Sequence, residues 1–199
     1  MAIITIDFEA SCLPRHGRSY PIEVGIACPG MARNWLIRPH QDWRGWDWTD
    51  EAQALHGLTP ADLERGGVPV SRVFDELAAA VAGHRIVADS LIDQYWLDTL
   101  CTAAGTVRPF AIDHVSLVID ELGAGEQRIA GAVARADGAV GGRHRAAQDA
   151  AWLAAVLSDL GAEMARLPTE AAKPLMAWDA SASSNLLLQS AHVADRIAR

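Results

Sequence analysis

Hydrophobic residues recur along this chain with two different periods, and the changes from one to the other outline its elements. The opening stretch Ile3-Ile4-Thr5-Ile6 sets β-branched residues in succession without a turn former, the mark of a buried strand. Tyr20 to Cys28 reads as a second strand with Ile22, Val24 and Ile26 on one face. Pro29-Gly30 then turns the chain into a third strand from Arg33 to Ile37. Three strands joined by short connections make an antiparallel meander. Thr49 suits the cap of a short helix to His56, which Gly57 stops; Thr59-Pro60 restarts a brief helix through Glu64, which Gly66-Gly67 breaks. Val73, Leu77 and Val81 recur at four-residue spacing and predict a helix from Pro69 to Ala82. Arg85 to Ala88 is a short strand, and a helix follows from about Ile92 to Ala104. Pro109 to Asp120 reads as an extended piece and then a helical turn. A helix lies around Arg128 to Arg135, and Ala146 to Leu160, rich in Ala and Leu, is another. A meander followed by strand–helix alternation predicts an α/β layer architecture with a mixed sheet.

The places where the apolar pattern is broken carry the chemistry. Asp7 and Glu9 stand at the end of the first strand, where more apolar residues would continue it. Residues two apart on a strand share a face, so both carboxylates project together and repel unless a cation or a proton lies between them. A metal site is the economical account of them; a strand running out into solvent is the other. Asp93 opens the helix after the fourth strand. A helix dipole favours a carboxylate there in any protein, but the position beyond a strand's carboxyl end is also where open α/β sheets place their sites. Asp149 interrupts a helix of small apolar residues, and His144 precedes it by five positions. On a regular helix that spacing puts them roughly 140° apart, so they meet only if His144 lies in the loop or first turn before the helix. Gly141-Gly142 suits such a loop and predicts a mobile His144.

Composition changes this picture little. With 199 residues, half of them hydrophobic, the chain suits one domain with its own core. Three cysteines without repeated spacing, and no basic segment ahead of an apolar core, fit a cytoplasmic protein with neither a disulfide framework nor a thiolate zinc site. No apolar run is long enough to span a bilayer. A net charge of −8 speaks against non-specific coating of duplex nucleic acid, but it leaves room for an enzyme whose bound cations meet a single strand end. Trp43, Trp46 and Trp48 fall within six residues, and their faces could stack bases or simply fill the core. Arg15, His16 and Arg18 crowd the turn after the first strand, where they could meet phosphates or simply be solvated.

Taken in order, Ile6-Asp7-Phe8-Glu9-Ala10-Ser11, Leu55-His56-Gly57-Leu58, Ile92-Asp93 with Leu97, and His144-Arg145-Ala146 with Asp149 resemble the motifs of the DEDDh 3′→5′ exonucleases. That superfamily includes proofreading subunits, RNase T and oligoribonuclease. The resemblance covers about residues 2 to 160. One departure is that Ala88-Asp89 stands where relatives often carry His-Asn, and Ile92 where they carry Phe, so Asp89 adds an acid. The resemblance implies an RNase H-like fold, with a central mixed five-stranded sheet flanked by helices. It also implies an exonuclease domain over residues 1–160. Pro168, Pro174 and the run Ser181-Ala182-Ser183-Ser184 then mark a tail over 161–199, whose amphipathic segment at 185–197 could be helical. Two Mg²⁺ or Mn²⁺ ions would be held by Asp7, Glu9, Asp93 and Asp149, hard oxygen donors suited to them. His144 would be the general base, a role that needs the neutral imidazole. The backbone of Ala10 and Ser11 and the side chains of Leu55 and His56 would flank the terminal nucleotide. The expected partner is the 3′ end of single-stranded DNA or RNA, with no membrane; dimers are frequent in the family, which makes a homodimer an expectation. The activity so implied releases nucleoside 5′-monophosphates. An inert nucleic-acid-binding or scaffold module on the same fold, and an enzyme confined to very short oligoribonucleotides, stay open as alternatives.

Overall fold

The computed structural model describes residues 1–141 and 144–166. Its strands are β1 (Ile3–Ala10), β2 (Pro21–Cys28), β3 (Met31–Leu36), β4 (Arg85–Ala88) and β5 (Ile112–His114). They form one sheet in the order β3-β2-β1-β4-β5. The first three run antiparallel, whereas β4 and β5 join β1 as parallel strands. Among the described residues the helices are α1 (Asp50–His56), α2 (Pro60–Gly66), α3 (Val70–Val81), α4 (Ile92–Ala103), α5 (Val115–Glu121), α6 (Glu126–Ala139) and α7 (Ala146–Asp159). Local chemistry sets their ends as expected. Thr49 accepts from the Ala52 amide and Gly57 closes α1 with φ 68, while Thr59 and Asp62 form a reciprocal capping box on α2. Pro109 to Asp120 resolves into β5 and α5. The helix around Arg128–Arg135 is longer than its pattern predicts, because Ala132, Val133 and Ala136 pack with α7 and override the glycines in α6.

The sheet has a large core on one face. Ile4, Ile6 and Phe8 of β1 with Ile22, Val24 and Ile26 of β2 meet Val73 and Leu77 of α3 and Leu97 and Leu100 of α4. On the other face Ile3 and Val87 pack with α5, α6 and α7. A third, small-residue cluster of Ala27, Ala32, Ala150, Ala151 and Ala154 brings α7 close to β2 and β3. The Thr5 hydroxyl donates across this seam to the Ala150 carbonyl at 2.7 Å and lies 3.0 Å from that of Ala27. Gly25 is what permits the approach: a methyl there would lie 2.3 Å from the backbone of Ala146 and Ala147.

All three cysteines are buried and free. Trp43 is interior and stacks on Tyr20 at 5.4 Å, Trp46 lies under the Arg18 guanidinium, and Trp48 packs edge-on against His56. Packing continues past residue 160, since Ile3 donates to Glu163 and accepts from Ala165. The 185–197 segment lies outside the described residues. Among them, no helix is long and apolar enough to cross a membrane.

Candidate metal centre

The carboxyl ends of β1 and β4 lie at one end of the sheet, and β1, α4, α7 and the turn after β4 deliver acids to it. Strand alternation puts Asp7 and Glu9 on the α7 side of β1, both half-buried. Helix α7 crosses β2 opposite Gly25, the register partner of Asp7, and its first turn brings Asp149 to them. Carboxylate oxygens of Asp7, Glu9 and Asp149 all lie within 4.8 Å of one another. Asp93 stands in the first turn of α4, fully buried, and its Oδ1 accepts from the Phe8 amide at 3.1 Å. That bond ties the helix to β1 beyond the last residue paired with β4. Asp7, Asp89 and Asp93 make a second triad with the same mutual spacing, so Asp7 belongs to both. The four predicted acids therefore meet, and Asp89, the extra acid, joins them.

Crowding like charges in a partly dehydrated pocket changes their protonation. Burial first, then the charges of Asp149, Asp93, Glu9 and Asp89, push the Asp7 carboxyl well above its usual range. Burial and then Asp149 and Glu23 do the same to Glu9, with Arg145 acting against the rise. Such a cluster favours a cation or a proton, and its donors are all hard carboxylate oxygens. The residues present thus fit divalent ions such as Mg²⁺ or Mn²⁺.

His144 precedes α7, as the helix geometry requires, and its backbone is hydrogen-bonded there. Its amide donates to Asp149 Oδ2 at 2.9 Å, and it adopts φ 70. The neighbouring Arg145 reaches Glu23 on β2, donating from Nε at 3.0 Å and from Nη2 at 2.6 Å. Glu23 also accepts from Asn34 and from the Ala146 amide, and none of its surface is exposed. Sequence reasoning missed Glu23 and Gly25. The signals were present, as a charge and a glycine inside an otherwise apolar strand.

The residues predicted to flank a terminal nucleotide are placed differently from one another. Leu55 is half exposed on α1. His56 is interior, with Nδ1 accepting from the Leu58 amide, so its Nε2 carries the proton in a buried position. Burial, opposed by Glu23 and assisted by Arg145 and His144, lowers its pKa to about 4. Ala10 ends β1. The Ser11 backbone is engaged at both groups, its amide donating to Tyr20 and its carbonyl accepting from Thr49. A cleft of about 580 Å³ opens beside Asp89, between Leu91, Ile112, His114 and Leu117.

No family model matches the chain, nor does any curated protein. Solved structures do resemble it. A full-length 3′-exonuclease superposes with a TM-score of 0.61 at 18% identity, over 81% of this chain and 62% of the other. Exonuclease I of Methylocaldum szegediense gives 0.56 at 16% identity, over 79% and 39%. A zinc-bound complex of Escherichia coli exonuclease I with single-stranded DNA gives 0.58 at 13%, also over 79% and 39%. The chain thus spans from about two-fifths to about three-fifths of the length of these proteins. It shares their fold, the RNase H-like arrangement of a mixed five-stranded sheet between helices.

Proposed function

We propose that the chain is a divalent-cation-dependent 3′→5′ exonuclease acting on single-stranded ends and releasing nucleoside 5′-monophosphates. The observation that carries this reading is the convergence of Asp7, Glu9, Asp93 and Asp149, from three distant parts of the sequence, at one end of the sheet of an exonuclease-like fold. Asp7, Glu9 and Asp149 would hold one cation, and the triad of Asp7, Asp89 and Asp93 the other. Bound there, the ions would neutralise charge building on the phosphoryl oxygens and make water a stronger acid.

The protein's own groups do the rest. Asp7, shared by both triads, fixes their relative position on a strand held on each side by its neighbours. His144 takes a proton from the attacking water at an imidazole nitrogen as the new P–O bond forms. The bond to the 3′ oxygen of the preceding nucleotide breaks, and that oxygen gains its proton from solvent. Single-stranded ends suit the reading because the Escherichia coli structure holds single-stranded DNA.

The test is digestion of a 5′-labelled single-stranded oligonucleotide with Mg²⁺ or Mn²⁺. The expected result is a ladder shortening from the 3′ end. Asp7→Ala and Asp149→Ala should abolish it, and His144→Ala should slow it about 10²–10⁴-fold while Mn²⁺ still binds. Cleavage that survives in Asp7→Ala protein would refute the reading. Oligonucleotide bound but uncut with either ion would favour an inert binding module on this fold.

A further inference from the structure

We infer that the ion pair of buried Glu23 with half-buried Arg145 is a positioning device for His144, so that a residue of β2 serves the reaction without touching substrate. The inference rests on the exonuclease reading for His144's role, but its geometry stands independently. Glu23 occupies a position whose chain neighbours Ile22 and Val24 are fully buried, and it is itself inaccessible. Stability alone does not ask for a charge there, because a buried ion pair loses hydration and an apolar pair of similar volume is often as stable. Specifying a unique arrangement is the better-attested use of such a pair.

What the pair specifies can be read from its four donors. Two come from Arg145, one from Asn34 on the adjoining strand, and one from the Ala146 amide, the first of α7. Arg145 stands at the N-cap of α7, yet its own side chain gives the helix no cap. Glu23 supplies it from the sheet, as a carboxylate where the helix dipole favours one. The bidentate fork fixes the direction of the chain at residue 145 as well as its position. One residue earlier, His144 is held from the other side, through its amide, by Asp149. With Asp149 on one side and Glu23 on the other, the backbone is kept in the left-handed conformation from which the imidazole departs. Glu23 is also the register partner of Glu9, so the clamp's anchor on β2 sits directly beside the acid on β1.

A positioning role separates from a merely structural one by its dependence on His144. The variants are Arg145→Met, Arg145→Lys and Glu23→Gln, each made alone and together with His144→Ala. Arg145→Met and Glu23→Gln should lower kcat about 10²-fold with KM little changed, and Arg145→Lys should recover part of the loss. In the His144→Ala background the same changes should have little further effect, because both act through one group. In protein without metal or substrate, the His144 imidazole NMR resonance is identified by its loss in His144→Ala. It should shift in Arg145→Met and return towards its original position in Arg145→Lys. Equal losses of kcat in both backgrounds, or an unmoved resonance, would overturn the inference. If the unmodified protein cleaves nothing, the exonuclease reading fails and the resonance still decides the positioning. If Glu23→Gln does not fold, the two Arg145 variants carry the test alone.

Discussion

Replacing Gly25 by alanine is the sharpest probe of how the acids are brought together. The added methyl would lie 2.3 Å from the Ala146 carbonyl carbon and the Ala147 nitrogen, both backbone atoms without rotamers to yield. Ordinary contact begins near 3.4 Å, so the two backbones must part by about 1 Å. Strand β2 cannot supply that movement cheaply, because it is hydrogen-bonded to β1 on one side and to β3 on the other. Helix α7 must give instead, stretching the bond from Thr5 to Ala150 and carrying Asp149 away from Asp7. Overpacking of this kind costs about 1–3 kcal/mol, and a clash of backbone on backbone belongs at the upper end. For a chain of this size that corresponds to a fall in Tm of about 6–12 °C.

The functional loss should exceed what that destabilisation accounts for. A misplacement of about 1 Å costs on the order of 10²-fold in rate, well below the temperature at which the variant unfolds. The assay pairs urea unfolding with Mn²⁺ calorimetry and oligonucleotide digestion at 25 °C. The control is Gly138→Ala, an open position on exposed α6, which should gain about 0.5–1 kcal/mol and leave Mn²⁺ binding unchanged. A Gly25→Ala protein that keeps its stability and binds Mn²⁺ as before would refute the account of how α7 docks.

Other expectations follow from charge. Asp7 and Glu9 have raised pKa values in the folded chain, so it binds more protons than the unfolded one above about pH 4; their contribution to stability declines as pH rises from there. Asp7→Asn should therefore raise the Tm of the metal-free protein, and by more at pH 7 than at pH 4.5; an advantage that shrinks with pH would contradict the assigned cause. His56 acts with the opposite sign. Its folded pKa of about 4 lies below the ordinary 6.5, so its contribution of about 3 kcal/mol is complete above pH 6.5 and is lost as pH falls towards 4. Relative to wild type, His56→Gln should be most destabilised at pH 7 and progressively less so on acidification, as followed by thermal unfolding across that range. Adding Mn²⁺ at a hundred times its Kd should raise Tm by about 5–10 °C, and Asp149→Ala should remove most of that gain.

Much of the acidic cluster was legible in the sequence, because carboxylates in apolar surroundings stand out. Asp7 and Glu9 declared a shared face through strand alternation, and Asp149 declared itself by breaking a row of alanines. What brings them together was much harder to read. Helix α7 docks through Gly25, Ala27, Thr5 and Ala150, small residues whose information lies in the volume they leave empty, and hydropathy does not register volume. Glu23 escaped for a different reason. Ile22, Val24 and Ile26 defined the strand by the face that meets α3 and α4, and Glu23 lies on the other face. The glycines before His144 marked a loop but not the partners of its backbone. The bonds that hold it come from Asp149, five residues on, and through Arg145 from Glu23 on a strand 122 residues away in sequence.

Among the described residues, His144 alone combines a side chain with a left-handed backbone. For a residue bearing a Cβ that conformation costs about 1–2 kcal/mol, which a glycine would recover. The position proposed to move the proton is thus one where the main chain by itself would prefer no side chain at all. Variants screened for heat resistance alone would drift towards glycine there, losing turnover as they gained robustness. On the proposed role of His144, thermal endurance and catalysis pull position 144 in opposite directions.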